Sequence, residues 1–95
     1  MSAYVVFEIE VSDPQRYERY KALSGPAVAA AGGRYLARGG RTASLEGAEP
    51  PSRSVLIEFD SLEAAVAFYE GEAYRAARAL REGAAAARAY VVEGP

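Results

Sequence analysis

Hydrophobic and polar positions alternate from the first residues of the chain. In AYVVFEIEV, Val5, Phe7, Ile9 and Val11 fall on one side and Tyr4, Val6, Glu8 and Glu10 on the other, the two-residue period of a β-strand. The period then lengthens. Asp13 is placed to cap a helix and Pro14 suits its first position. From there Tyr17, Tyr20, Leu23, Ser24, Ala27, Val28 and Ala31 recur at three- and four-residue spacing, one buried stripe of a helix. Ser24-Gly25-Pro26 falls inside that stripe and predicts a bend or break, because proline has no N–H to give. Gly32-Gly33 ends the helix, where a left-handed residue is often needed. RYLAR reads as a short strand, and Gly39-Gly40 as a bulge or hairpin turn into a second extended piece, RTASLEG. A loop containing Pro50-Pro51 leads to the strand RSVLIEF. DSLEAAVAFY then begins a second helix, with Asp60 and Glu63 at capping-box spacing and Leu62, Ala65, Val66 and Tyr69 as its buried stripe. Gly71 separates this from a further helical segment, EAYRAARALR, and ARAYVVE is the last strand.

The order strand, helix, strand, repeated once, predicts one α+β domain over residues 1–95, a ferredoxin-like βαββαβ sandwich. Its antiparallel sheet has the order 4-1-3-2, with the helices on one face. The other face lacks a cover, yet YVVF, VLI and YVV are apolar on both sides, unlike a sheet with one wet face. A second copy of the chain, packed sheet against sheet about a twofold axis, supplies the simplest cover. Tyr4, Val6, Leu36 and Leu56, with Tyr90 or Val92, are its expected filling. Parity sends Glu8, Glu58, Arg34 and Arg38 to the same face, with Arg88 joining if Tyr90 points there. Arg88, Glu8, Glu58 and Arg38 are then expected in a row across the sheet.

Composition narrows the chemistry. Eleven Lys and Arg against 13 Asp and Glu in 95 residues give no basic footprint for nucleic acid and no polybasic membrane patch. The amino terminus alternates too early and carries too much charge to be a leader or a membrane span, so a cytoplasmic strand is expected. Cysteine and histidine are both absent. Their absence removes disulfides, the common zinc sites, histidine-ligated haem and a Ser-His-Asp triad, so neither metal nor cofactor is expected. The glycine pairs match neither dinucleotide nor P-loop spacing.

Two sets of polar residues remain. Glu8 and Glu58, if neighbours on adjacent strands, could share a proton and act as general acid or base. Alternatively each carboxylate pairs with Arg34, Arg38 or Arg88 and fixes dimer register. Tyr17, Tyr20 and Tyr69 lie on helix stripes facing the sheet; they fill core volume, or converge near Ser24 on a pocket in which Arg38 or Ser24 orients an anionic group. Candidate catalytic residues are Glu58, Arg38 and Tyr69. Arg75, Arg78, Arg81 and Arg88 read as a solvated face.

With AYVVFEIEVSDPQRYERYKAL, GGRYLARGG, IEFDSLEAAVAFYEGEAYRAARALR and the closing VVEG in order, the whole chain resembles the domain-of-unknown-function family 1330. The resemblance implies a dimeric α/β barrel, similar to small monooxygenases of antibiotic biosynthesis and muconolactone isomerases, and no established reaction. Phe68 departs from the tryptophan common in the family and is expected to alter a pocket wall. Two functions stay open: a homodimer that binds a small organic molecule, as a cofactor-independent isomerase or monooxygenase, or a non-catalytic dimerisation or ligand-sensing module. A cavity of a few hundred cubic ångströms uniting Tyr20, Arg38, Glu58 and Tyr69 favours the first.

Overall fold

The computed structural model describes residues 1–95. β1 (Ala3–Val11) leads to α1 (Pro14–Ala30), β2 (Arg34–Arg38), β3 (Arg53–Phe59), α2 (Leu62–Glu70), α3 (Glu72–Arg81) and β4 (Ala85–Glu93). The strands form one sheet in the order β2-β3-β1-β4, with every neighbouring pair antiparallel. β1 and β2 therefore run parallel with β3 between them, the split βαβ of a ferredoxin-like sandwich. No helix is long and apolar enough to cross a membrane.

Alternation along β1 decides which side the helices occupy. Val5, Phe7 and Ile9, with Val55, Ile57 and Phe59 of β3, join Tyr17, Tyr20, Ala27, Val28, Ala65, Phe68, Tyr74 and Ala77 in one core. Burying a side chain as large as Phe7 or Ile57 is worth about 1.5–3 kcal/mol, so the six strand positions hold all three helices to that face. On the rear face Tyr4, Val6 and Leu56 are half-buried. Leu36, Tyr90 and Val92 are 52%, 44% and 49% exposed.

Capping follows local chemistry. The Asp13 carboxylate accepts from the Arg16 amide at 3.1 Å, as its position predicts. On α2 it is Ser61, not Asp60, that caps, its hydroxyl accepting from the Ala64 amide at 3.0 Å. Packing against the sheet buries Ala65 and Phe68, leaves Leu62 and Tyr69 half-buried and Val66 38% exposed. The Phe68 ring packs between Phe59 and Tyr74 at centroid distances of 5.0 and 4.8 Å, within the core. α1 runs through Ser24-Gly25-Pro26 without a break. Ala22 and Pro26 are both on the exposed side of the helix, so water can take the carbonyl that proline's missing N–H leaves free.

Gly32 takes a φ of +80°. Its amide donates to the Ala29 carbonyl and that of Gly33 to the Val28 carbonyl, at 3.1 and 2.9 Å, the two bonds of a Schellman cap. Gly33 answers a different need, since a Cβ there would lie 2.8 Å from the Phe59 ring. RTASLEG does not become a strand: it lies in the exposed connection between β2 and β3 and pairs with nothing. The connection is anchored at its end, where Ser52 donates its amide to Glu10 at 2.9 Å and its hydroxyl to the Ile9 carbonyl at 3.1 Å.

Gly33→Ala is expected to destabilise the fold by roughly 1–3 kcal/mol, because Phe59 has no room to move. Gly40→Ala, with nothing within reach of its Cβ, is expected to change stability by no more than about 0.5 kcal/mol. Chemical denaturation of the two variants measures both.

Candidate functional site

The site on the helix side is created by an irregularity in β2. Arg34 pairs with Glu58 and Tyr35 with Ile57, after which Ala37 pairs with Leu56 and Arg38 with Val55. Leu36 is the extra residue of a β-bulge, and beyond it the side-chain parity reverses. Arg38, assigned to the rear face by simple alternation, therefore shares the face of Val55 and turns towards the helices. Its guanidinium lies over the Tyr35 ring, 4.3 Å from the centroid, and reaches α1, where a Cβ on Gly25 would be 3.3 Å from Nη2.

Arg38 closes the mouth of a cleft between α1 and the β2–β3 end of the sheet. Tyr17, Tyr20 and Ser24 line it, with Tyr35, Arg53 and Tyr74. Four of the residues singled out from sequence thus come together. Tyr69 does not join them; it faces a groove beside β4. Glu58 stands on the rear face. The open volume of the cleft is about 10 Å³, room for about one water, not the few hundred cubic ångströms that would unite all four diagnostic residues.

Burial sets the protonation of the cleft. The Tyr20 and Tyr74 hydroxyls share a hydrogen bond of 2.9 Å, and Arg81 Nη2 donates to Tyr74 Oη at 3.4 Å. Desolvation pushes the Tyr20 hydroxyl well above the ordinary phenol range, with Tyr74 adding to it. Burial also raises Tyr17, against the opposing pull of Arg53. At neutral pH both phenols keep their protons, so neither acts as a base. The Arg53 guanidinium lies 5.5 Å from the Tyr17 ring centroid, and its buried Nε has no hydrogen-bond partner.

The four charged residues expected in a row form two separate pairs. Glu8 stands opposite Ser54 on one side and Arg88 on the other, whereas Glu58 stands opposite Tyr4 and Arg34. The two carboxylates are displaced by four residues along the strands, roughly 13 Å at a rise of about 3.3 Å per residue, too far to share a proton. Arg34 Nη2 donates to Glu58 Oε1 at 2.6 Å, and Arg88 lies 3.4 Å from Glu8. The Arg34 hydrogen bond, aided by Ser2 and Tyr4, holds the Glu58 carboxyl below the usual carboxylate range.

Three lining residues escape a reading of motifs. Tyr74 repeats with Ala77 and Arg81 at three- and four-residue spacing on α3, and all three are buried; that stripe is present in EAYRAARALR. Arg81 is therefore not part of a solvated face. Tyr35 and Arg53 carry no such signal, since the bulge and the strand register place them.

The family model described as "Domain of unknown function (DUF1330)" matches residues 2–95, and the chain belongs to that family. No protein of curated description matches it. Among solved structures it is similar to RPA0582, a protein of unknown function from Rhodopseudomonas palustris, at 21% identity and a TM-score of 0.74 over 99% of this chain and 82% of that one. SnoaB, a cofactor-independent oxygenase from Streptomyces nogalater, is similar at 12% identity and a TM-score of 0.70, covering 99% and 93% of the two chains. A dimeric ferredoxin-like protein of unknown function from Thermobifida fusca matches at 14% identity and a TM-score of 0.55, covering 97% and 92%. At these identities the likeness shows the shared ferredoxin-like fold.

Because the folded-state pKa of Glu58 is depressed, the Arg34–Glu58 pair stabilises above the ordinary glutamate pKa of about 4.3. That contribution is lost as pH falls through the lower, folded value. Carboxyl-detected NMR titration is expected to find Glu58 titrating below the usual carboxylate range and to move it up towards that range in Arg34→Ala, with Ser2 and Tyr4 still holding it down in part. The melting-temperature gap between the two chains should close in the same acid window.

Proposed function

We propose that this family member is a homodimer, closed rear face to rear face into an α/β barrel, whose helix side takes up a small organic molecule beneath α1. The observation that carries the binding site is the β2 bulge. It turns an arginine that makes no ion pair onto the mouth of a cleft lined with protonated phenols. A guanidinium offers a planar fork to a carboxylate or other anionic group, and buried hydroxyls orient the ligand's oxygens. Lys21 and Arg38 form the rim, and Arg38 is exposed, so swinging these long side chains outward is what admits a molecule larger than water. Apolar Tyr4, Val6, Leu56, Leu36, Tyr90 and Val92 on an otherwise uncovered sheet face support the dimer. A cytoplasmic setting fits a chain without cysteine.

The catalytic form of this reading, a cofactor-independent isomerase or monooxygenase, draws on the fold shared with SnoaB, and fold alone is weak support for chemistry. The cleft supplies hydrogen-bond donors and cations and no carboxylate, so it suits a substrate that reacts once held in place. Arg38 is the candidate that touches such a substrate. Glu58 and Tyr69 are candidates only through a dimer or a second site. A non-catalytic dimerisation or sensing module is the competing reading, favoured by the nearly filled cleft.

Light scattering is expected to give twice the chain mass of 10.1 kDa, and Val6→Asp, which buries a charge between the sheets, is expected to give monomers. A wild-type monomer removes the proposed barrel. For the cleft, a screen of aromatic carboxylates by amide NMR should find ligands that shift Tyr17, Ser24 and Tyr35 and that bind at least tenfold more weakly to Arg38→Ala. Stability of that variant should stay within about 0.5 kcal/mol of wild type. Loss of stability with no ligand found supports the module instead.

A further inference from the structure

The inner row of β4 leaves space that no other element fills. Ala85, Ala87, Ala89 and Val91 stand opposite Val11, Ile9, Phe7 and Val5 of β1, on the face that meets the helices. Where β1 carries large side chains β4 carries three alanines, and Ala87 and Ala89 remain exposed. A trough therefore runs along this edge strand beneath α2 and α3. One end, of about 190 Å³, is walled by Val5, Ala65, Val66, Ala89 and Val91. At the other end, of about 470 Å³, Arg75, Arg78 and Arg81 stand beside Ala85 and Ala87. Tyr69 borders both ends, with the Arg78 guanidinium 4.4 Å from its ring centroid.

No carboxylate pairs with the arginines of the basic end. Arg81 is only 8% exposed, its Nε has no hydrogen-bond partner, and its one hydrogen bond is the long 3.4 Å contact to Tyr74. Every ion pair of the protein lies elsewhere, at Glu18–Lys21, Arg34–Glu58 and Arg88–Glu8. Glu70 borders the apolar end and Glu82 the basic end, and neither pairs with an arginine. Burying a guanidinium without a carboxylate is costly. Its place in the last turn of α3 recovers a part through the helix dipole and leaves donors unfilled. An anion in the trough would satisfy them.

We infer that the trough is a second binding site, for a small amphipathic organic anion such as an aryl or short acyl carboxylate, its apolar body against Val66, Tyr69 and Ala89 and its carboxylate on Arg78 and Arg81. The site differs from the cleft beneath α1 in its residues and its opening, and Arg81 forms the wall between them through its contact with Tyr74.

Amide NMR with 1-naphthoate, and with 1-naphthamide as the uncharged match, tests it on the intact protein. Saturable shifts are expected at Tyr69, Arg78, Ala87 and Ala89, with the amide at least tenfold weaker. Arg81→Met should weaken naphthoate at least tenfold while the melting temperature holds or rises, because an unpaired buried charge has been removed. A merely structural arginine would lower it. Ala87→Leu, which fills the trough and leaves every charge in place, should block binding as well, and decides the matter with the acid–amide comparison if Arg81→Met does not fold. Absence of shifts at millimolar naphthoate, shifts centred on Tyr17, Ser24 and Arg38, equal binding of the amide, or undiminished binding by the variants overturns the inference.

Discussion

Because Val5, Phe7 and Ile9 are all driven against the helices, the strand period sends Tyr4, Val6 and Glu8 to the opposite side, and a chain with helices for one face leaves that side to something else. Nearly every later feature derives from this division. β1 lies between β3 and β4, so its parity is passed through the ladders to Val55, Ile57 and Phe59 on one neighbour and to Ala87, Ala89 and Val91 on the other. The helix side becomes the core and the rear side a half-apolar plain carrying two ion pairs. A chain this small buries a limited share of its surface alone, and covering the plain is the evident way to bury more.

The division is broken at one place, and the break has chemical consequences. Without the bulge at Leu36, Arg38 would sit on the rear face beside Arg34 and become another charge on the plain. With it, the guanidinium rests on Tyr35 and reaches α1 near Gly25. Gly39, directly after, is held at a φ of +73° with the Arg53 side chain packed where a Cβ would be, so the end of β2 is shaped by close approach as well as by register. Gly40 carries neither constraint.

Five arginines of similar appearance in the sequence have thereby acquired different roles. Arg34 and Arg88 are paired with carboxylates on the rear face. Arg38 is unpaired at the mouth of the cleft, Arg53 has an unsatisfied Nε beside Tyr17, and Arg81 is buried without a counter-charge. Neutralised and unneutralised arginines segregate to opposite faces of the sheet. That segregation places any affinity for anions on the helix side, where Tyr17 and Tyr20, kept protonated by their burial, are also found.

Periodicity and residue type placed β1 to β4, the helices, the caps at Asp13 and Gly32 and the two-faced apolar character of the sheet, because each depends on side chains along a local segment, and the strand order followed from the βαββαβ succession of those elements. The grouping of Tyr17, Tyr20 and Ser24 was legible for the same reason. What spacing cannot encode is how segments slide past one another. The register of β1 on β3 separated Glu8 from Glu58 and gave each its own arginine, one extra residue in β2 reversed the direction of Arg38, and the docking of α3 buried Arg81. Tyr69 and Glu58 parted from the cleft because helix rotation and sheet parity are set by packing across the whole core. Sequence thus decided which residues share a face of an element, and tertiary structure decided which elements bring those faces together.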